Sequence, residues 1–221
     1  QPKKIILGRE GTKVWMNSNL ILSQTCGYPF RTNLKGKVAY VGTPVYDLKS
    51  CPPGYYRSVF ITSYNNRNRK PIDFINSKFA VNSFNSQSGY VAACEYFCKY
   101  NLRLINTHVT GSHLSSALSV YEGLCDIACI DEVSWKIMKR FDKFSSYLSE
   151  IGWTYPTPAL PIITVKHRNS VDVVYDIMNN AIENLSTRNA KMLFLNGFTW
   201  INPEKYFSVR TPKSLHGAKT T

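Results

Sequence analysis

Apolar and polar positions recur with two different periods along the chain, and the change falls near Pro71. Upstream, short runs of β-branched and aromatic residues stand between turn signals. They are "NLILSQT" at 19–25, broken by Cys26-Gly27-Tyr28-Pro29, "KVAYVGTPVY" at 37–46, ending at a Gly/Pro turn, and "YYRSVFITSY" at 55–64. Each predicts a strand. The polar run "NNRNRKP", 65–71, predicts a loop or crossover. Downstream, strand patterns alternate with helical ones. "KFAVNS" predicts a strand and "SGYVAACEYFCKYN" a helix; "LINTHVT" a strand and "SHLSSALSVYEG" a helix closed by Gly123; "DIACIDEVSW" a strand running into a further helix. "LSEIGWTYPTPALPIITVK" predicts two strands around a proline-rich bend. "SVDVVYDIMNNAIEN" is an amphipathic helix, and "NPEKYFSV" a short terminal helix or turn. Strands alternating with helices argue for an α/β fold with mainly parallel sheets. The strand–loop–helix unit at 79–98 recurs at 104–121, so two helix starts face one crevice outside the carboxyl ends of the strands.

The chain has 221 residues, 43% hydrophobic and 19% charged, a composition that folds around a core and is not disordered. Its formal charge of +13 leans towards the N-terminal third. Such a balance fits nucleic acid, a membrane surface or a small anionic ligand. The one dense basic cluster, Arg67-Asn68-Arg69-Lys70, is too short to choose among them and reads as a solvated loop. No apolar run reaches the roughly 18 residues of a membrane span. No signal-peptide pattern is legible, and the opening on Gln1 without a methionine leaves room for a processed start and for export.

Six cysteines are present and none forms a C-x-x-C pair. Cys94/Cys98 and Cys125/Cys129 are spaced i,i+4 in apolar sequence, which reads as core packing. Further His or Cys at ligand spacing is lacking, so no metal and no cofactor are expected. The even count leaves disulfides open.

The candidate chemistry begins at Ser86-Gln87-Ser88-Gly89, before the helix that follows "KFAVNS". A helix start offers unpaired N–H groups and partial positive charge, hydroxyls add donors without bulk, and glycine allows close approach. This composition suits an oxyanion, although it is not a Walker loop, and taken alone it is more often that of a simple N-cap. Thr110-Gly111-Ser112 repeats the theme, with His113 in the first helical turn, where a protonated imidazole is disfavoured unless an anion binds beside it. Thr25 to Tyr28 close the first strand at a turn. Tyr56 and Arg57 open the third, where a guanidinium could fork onto an oxyanion or form a salt bridge. Asp131 ends a strand, placed to meet a ligand hydroxyl or ammonium or to cap the next helix. No G-x-S-x-G elbow or Cys-His pattern is present, so no catalysis is expected.

Several segments together, "LILSQTCGYPF", "YYRSVFIT", "KFAVNSFNSQSGY", "TGSHLSSALSVYEGLCDIACIDEVSW" and "EIGWTYPTPALPIIT", resemble the phosphate/phosphite/phosphonate-type substrate-binding proteins of ABC transporters, in that family's order from about residue 19 to 165. The resemblance implies a type 2 periplasmic-binding-protein fold, two α/β lobes joined by two hinge crossovers and closing on a ligand. Lobe one would combine 1–65 with 164–221, and lobe two would span 66–163. Family members usually begin with a further strand and helix, where this chain has a basic stretch of about eighteen residues before 19, so the resemblance leaves three expectations for that unit: removed, disordered, or absent from a reduced lobe one. The resemblance places the oxyanion on Ser86, Gln87, Ser88 and Gly89, surrounded by Thr25, Tyr28, Tyr56, Arg57, Ser112 and His113, with Asp131 towards the ligand's other end. It implies a monomeric periplasmic or exported protein that carries a small anion to a permease and binds no nucleic acid. Two other readings stand beside it: a polyanion or nucleic-acid binding module, suggested by the charge, and a binding-protein fold adapted as an enzyme through Cys26 or His113.

Overall fold

The computed structural model describes residues 11–166 and 171–211. Its strands are β1 (Ser23–Gln24), β2 (Val38–Tyr46), β3 (Tyr55–Tyr56), β4 (Ser58–Ser63), β5 (Phe79–Val81), β6 (Thr107–Val109), β7 (Ile127–Asp131), β8 (Leu148–Trp153), β9 (Thr157–Pro158), β10 (Ile162–Val165) and β11 (Leu195–Thr199). The α-helices are α1 (Gly11–Trp15), α2 (Gly27–Thr32), α3 (Ala92–Cys98), α4 (His113–Tyr121), α5 (Glu132–Phe141), α6 (Val171–Glu183), α7 (Thr187–Leu193) and α8 (Glu204–Phe207). The architecture is the expected two-lobed α/β fold.

One sheet has the order β6-β5-β7-β4-β8. Its β6-β5-β7 part is parallel, whereas β4 pairs antiparallel with both β7 and β8. Every residue of β7 is buried and β4 is buried up to Thr62, because helices cover both faces. On one face Ala117 and Val120 of α4 and Trp135 and Met138 of α5 pack over Val59, Ile61, Ala128 and Ile130. On the other, Val91, Ala93, Cys94 and Phe97 pack over Phe60, Phe79, Ile127 and Cys129. The second sheet, β1-β10-β2-β11, is antiparallel throughout. The expectation of mainly parallel sheets therefore holds only for β6-β5-β7. The chain leaves the four-stranded sheet after β2 and returns to it at β10, antiparallel to β2, which the local helix–strand alternation does not reveal.

The strand expected over 55–64 is two strands in different sheets. Tyr55 and Tyr56 pair with Pro158 and Thr157 in a two-stranded ribbon. From Ser58 the chain joins β7 and β8. An expected lobe boundary at 65/66 thus falls behind a strand whose partners all lie in the five-stranded sheet, and 157–163 falls outside that sheet. Residues 1–10, 167–170 and 212–221 of the expected lobe one lie outside the described residues.

"GYPFRT", expected as a turn, is α2. Pro29 sits in its first turn, where a missing N–H breaks no helical bond. The pattern at 88–101 begins as a π-helical turn, Gln87–Val91, before α3. "NLILSQT" yields only the two residues of β1, β2 continues through Pro44 to Tyr46, and α7 and β11 were not anticipated. The helices at 113–121, 132–141, 171–183 and 204–207 match the expected segments, and Gly123 at φ 73° ends α4 as anticipated.

Candidate functional site

A cavity of about 750 Å³ opens where the helix starts of the five-stranded sheet meet α1 and α2. Its walls include Asn82, Ser86, Ser88, His113 and Asp131 on one side, and Lys13, Trp15, Cys26 and Pro29 on the other. The carboxyl ends of β5 and β7 deliver Asn82 and Asp131, and the starts of the π turn and α4 deliver the serines and the histidine.

Ser86 caps the π turn, its Oγ accepting from the Gly89 N–H at 3.0 Å. Ser88 Oγ lies 3.0 Å from His113 Nε2 and 3.5 Å from Ser86 Oγ. The same Nε2 stands 3.3 Å from Asp131 Oδ2, while Asp131 Oδ1 accepts from the Ser134 N–H at 2.9 Å and so caps α5. One nitrogen thus faces both partners. This is not the relay of a hydrolytic triad, which uses both ring nitrogens. His113 Nδ1 is buried without a hydrogen-bond partner. Burial pushes the imidazole below its ordinary proton affinity, with the Asp131 charge pulling the other way. A neutral ring donating from Nε2 to the carboxylate fits this geometry, since a lone pair aimed at Asp131 would be repulsive.

Gly89 is required by close approach. A Cβ there would stand 2.0 Å from Asn82 Oδ1 and 3.1 Å from His113 Cε1. Gln87 faces the other wall: its N–H donates to Cys26 Sγ at 3.1 Å and its Oε1 accepts from Arg31 Nη1 at 2.6 Å. Cys26 is pushed up by burial, against the lowering effect of neighbouring backbone N–H groups. Tyr56 is 1% exposed among Leu48, Val133 and Ala159, its hydroxyl unpartnered and its ionisation pushed well up by burial. Thr25 is also buried with an unpartnered hydroxyl.

The structure therefore gathers Ser86, Ser88, His113 and Asp131 on the cavity wall with Gly89 packed behind them against Asn82 and His113, while Gln87 reaches across to Arg31 of α2, whose guanidinium lies over Tyr28 of the same helix. It engages two expected residues elsewhere. Arg57 donates from Nε to Glu132 at 2.9 Å and its guanidinium lies 3.9 Å over the Trp153 ring. Ser112 is exposed and caps α4 through Ser115 N at 3.0 Å. Asn82 and Arg31 were not anticipated. Asn82 carries a usable signal, an amide directly after a buried strand and before a serine-rich helix start. Arg31 carries none, because one more basic residue in a basic chain has no distinguishing spacing.

All six cysteines are free thiols; Cys94, Cys125 and Cys129 are buried, matching their expected core role, while Cys98 is half-buried. Among the described residues no His/Cys/Asp/Glu cluster is built to hold a metal. No helix among them is long and apolar enough to cross a membrane.

The fold is shared with solved binding proteins. PhnD1 from Prochlorococcus marinus, in complex with methylphosphonate, superposes with a TM-score of 0.72 at 15% identity, over 84% of this chain and 74% of its own. The binding component of a phosphonate ABC transporter from Pseudomonas aeruginosa, PA3383, gives 0.68 at 16% identity, over 84% and 65%. XAC2383 from Xanthomonas citri, bound to chloride, gives 0.66 at 11% identity, over 87% and 75%. No curated protein matches the sequence. The family described as "ABC transporter, phosphonate, periplasmic substrate-binding protein" matches residues 36–203, which run from before β2 to beyond β11. With that match covering most of the chain, the protein belongs to the phosphonate periplasmic substrate-binding protein family of ABC transporters.

Proposed function

We propose that the protein is a monomeric periplasmic carrier that captures a small phosphorus oxyanion, a phosphonate, phosphite or phosphate, and presents it to an ABC permease. The observation that carries this reading is the meeting, in one cavity, of the capped helix start at Ser86–Gly89 with His113 and Asp131. Neutral hydroxyls, helix-start N–H groups and a helix dipole hold an oxyanion without a contacting full charge, which leaves it free to depart. In this reading Ser86, Ser88 and Gly89 hold the oxyanion, His113 flanks it, and Asp131 meets the ligand's other end. Thr25 and Tyr56 stand behind the site as buried hydroxyls.

We further propose that the lobes divide at the β3–β9 ribbon, with 58–153 as lobe two and the remainder as lobe one. Ligand capture then selects the closed arrangement of the two. The basic loop supports the solvated reading over a polyanion surface: Arg67 lies 4.5 Å over the Tyr64 ring and Arg69 3.9 Å over Phe74, each used locally. No catalytic step is proposed.

The test is a thermal-shift and calorimetric screen against phosphate, phosphite, methylphosphonate, aminoethylphosphonate, sulfate and a short oligonucleotide, at low and moderate salt. A ligand that binds only the folded state raises the melting temperature with the logarithm of its concentration over Kd. A salt-resistant shift with one phosphorus oxyanion is expected. A shift with the oligonucleotide alone, fading with salt, would overturn the reading.

A further inference from the structure

Among the described residues Arg31 is a buried cation without an anionic partner. It is 9% exposed, and the acceptors it meets among the described residues, Gln87 and Thr211, are neutral. Nη1 donates to Gln87 Oε1 at 2.6 Å, while Nε and Nη2 share Thr211 Oγ1 at 3.4 and 3.3 Å. The guanidinium lies 4.9 Å over the Tyr28 ring. Among the described residues, ion pairs join Arg57 to Glu132 and Lys139 to Glu150, and the neutral His113 ring meets Asp131; none involves Arg31. Glu95 is the carboxylate acting on it at longer range. Burying an uncompensated charge is costly, and the usual resolution is a partner of opposite sign.

The place of that charge indicates what the partner is. Gln87, whose side chain takes the Arg31 proton donor, is the first residue of the π turn that ends the cavity wall, between the cavity-lining Ser86 and Ser88. Its other side-chain atom, Nε2, is buried and unpartnered. Arg31 belongs to α2, on the side of the four-stranded sheet, and Gln87 to the five-stranded one, so the two meet only when α2 lies against the helix start. Asp131 is a fixed negative charge in the cavity wall, with His113 held neutral beside it, and Lys13 is exposed at the opposite wall.

We infer that Arg31 is the fixed counter-charge of the cleft, a positioning residue that favours a bound oxyanion through Gln87 without touching it. This rests on the anion-capture reading above and adds a residue to it. The buried positive charge offsets the Asp131 carboxylate, and because its hydrogen bond to the opposite wall runs through Gln87, it favours the anion in the closed arrangement more than in the open one.

The experiment compares wild type, Arg31→Gln and Arg31→Lys by calorimetry with methylphosphonate and by melting without ligand. Arg31→Gln keeps a hydrogen-bond donor but no charge, and weakens methylphosphonate by roughly tenfold or more, the order of effect of one unit charge in a partly desolvated site. Arg31→Lys restores most of that loss. Without ligand, Arg31→Gln melts at or above wild type, because an unpaired buried charge has been removed. Equal affinity in Arg31→Gln and wild type would overturn the inference, as would a lysine variant as weak as the glutamine one or a ligand-free glutamine variant that melts lower. Failure of wild type to bind methylphosphonate, phosphite or phosphate sinks the anion-capture reading instead, and the ligand-free melting comparison still decides whether Arg31 is an unpaired charge.

Discussion

His113 Nε2 and Asp131 Oδ2 stand 3.3 Å apart at the wall of the cavity, joining the first turn of α4 to the cap of α5. Substituting Asp131→Asn keeps the side-chain oxygen that caps Ser134 but removes the charge that favours the imidazolium. His113 in that variant titrates at lower pH than in wild type, read from its ring-proton shifts by NMR.

Burial holds His113 below its ordinary value of 6.5. On acidification the unfolded chain takes up a proton at this residue before the folded chain does. Folding stability therefore falls as pH drops through about 6.5 and is insensitive to this group above it. His113→Gln flattens that part of the profile, measured by urea unfolding at a series of pH values. An unchanged slope would mean that other groups carry it.

Ser86 has two roles that separate on substitution. Ser86→Ala removes the acceptor for the Gly89 N–H and costs about 1 kcal/mol of stability as a lost N-cap. Ser88→Ala removes no cap but loses the hydroxyl's contact with His113 Nε2, at a cost of about 0.5–1.5 kcal/mol. The double variant folds yet loses phosphorus-oxyanion binding, each lost charge-assisted bond costing about 1.5–3 kcal/mol. Calorimetry showing wild-type affinity would remove the helix start from the site.

A methyl group at residue 89 has no room. Gly89→Ala drives Asn82 out of place and costs about 1–3 kcal/mol by overpacking. Pairing it with Asn82→Ala clears the nearest clashing atom and recovers part of the stability, while His113 remains close. Denaturant midpoints of the two single variants and the double variant measure the recovery.

Arg57 holds structure. Its pair with Glu132 and its stacking on Trp153 are together worth about 1–2 kcal/mol. Arg57→Ala lowers the denaturant midpoint accordingly and leaves the affinity for phosphorus oxyanions unchanged.

Much of this arrangement was legible before any coordinates. The buried strands β5 and β7 announce themselves as apolar runs ending in Asn82 and Asp131, and the serine-rich helix starts follow from ordinary capping chemistry. The passage between sheets was not legible. Tyr55 to Tyr64 keeps one strand-like pattern while the backbone changes partners at Arg57, because both halves are β structure with similar apolar demands. Helix α2 was hidden by Gly27 and Pro29, which signal a turn unless the proline falls in a first helical turn. Arg31 was hidden for a different reason. Its meaning lies in which partners it lacks, and a sequence does not state that.

The pairing order of the strands also bears on how the chain is made. Ser58 and Thr154 are bonded to each other at both ends, Ser58 N to Thr154 Oγ1 and Thr154 N to Ser58 O, each at 2.9 Å. Everything the five-stranded sheet needs therefore lies on a stretch that is complete once residue 154 has left the ribosome. β2 is less fortunate: its partners are β10 and β11, so a nine-residue strand waits with both edges bare while more than half the chain is synthesised. Unpaired strand edges invite association with other chains. The late arrival of 195–199, and not the assembly of the central sheet, sets the interval during which a nascent molecule needs shielding.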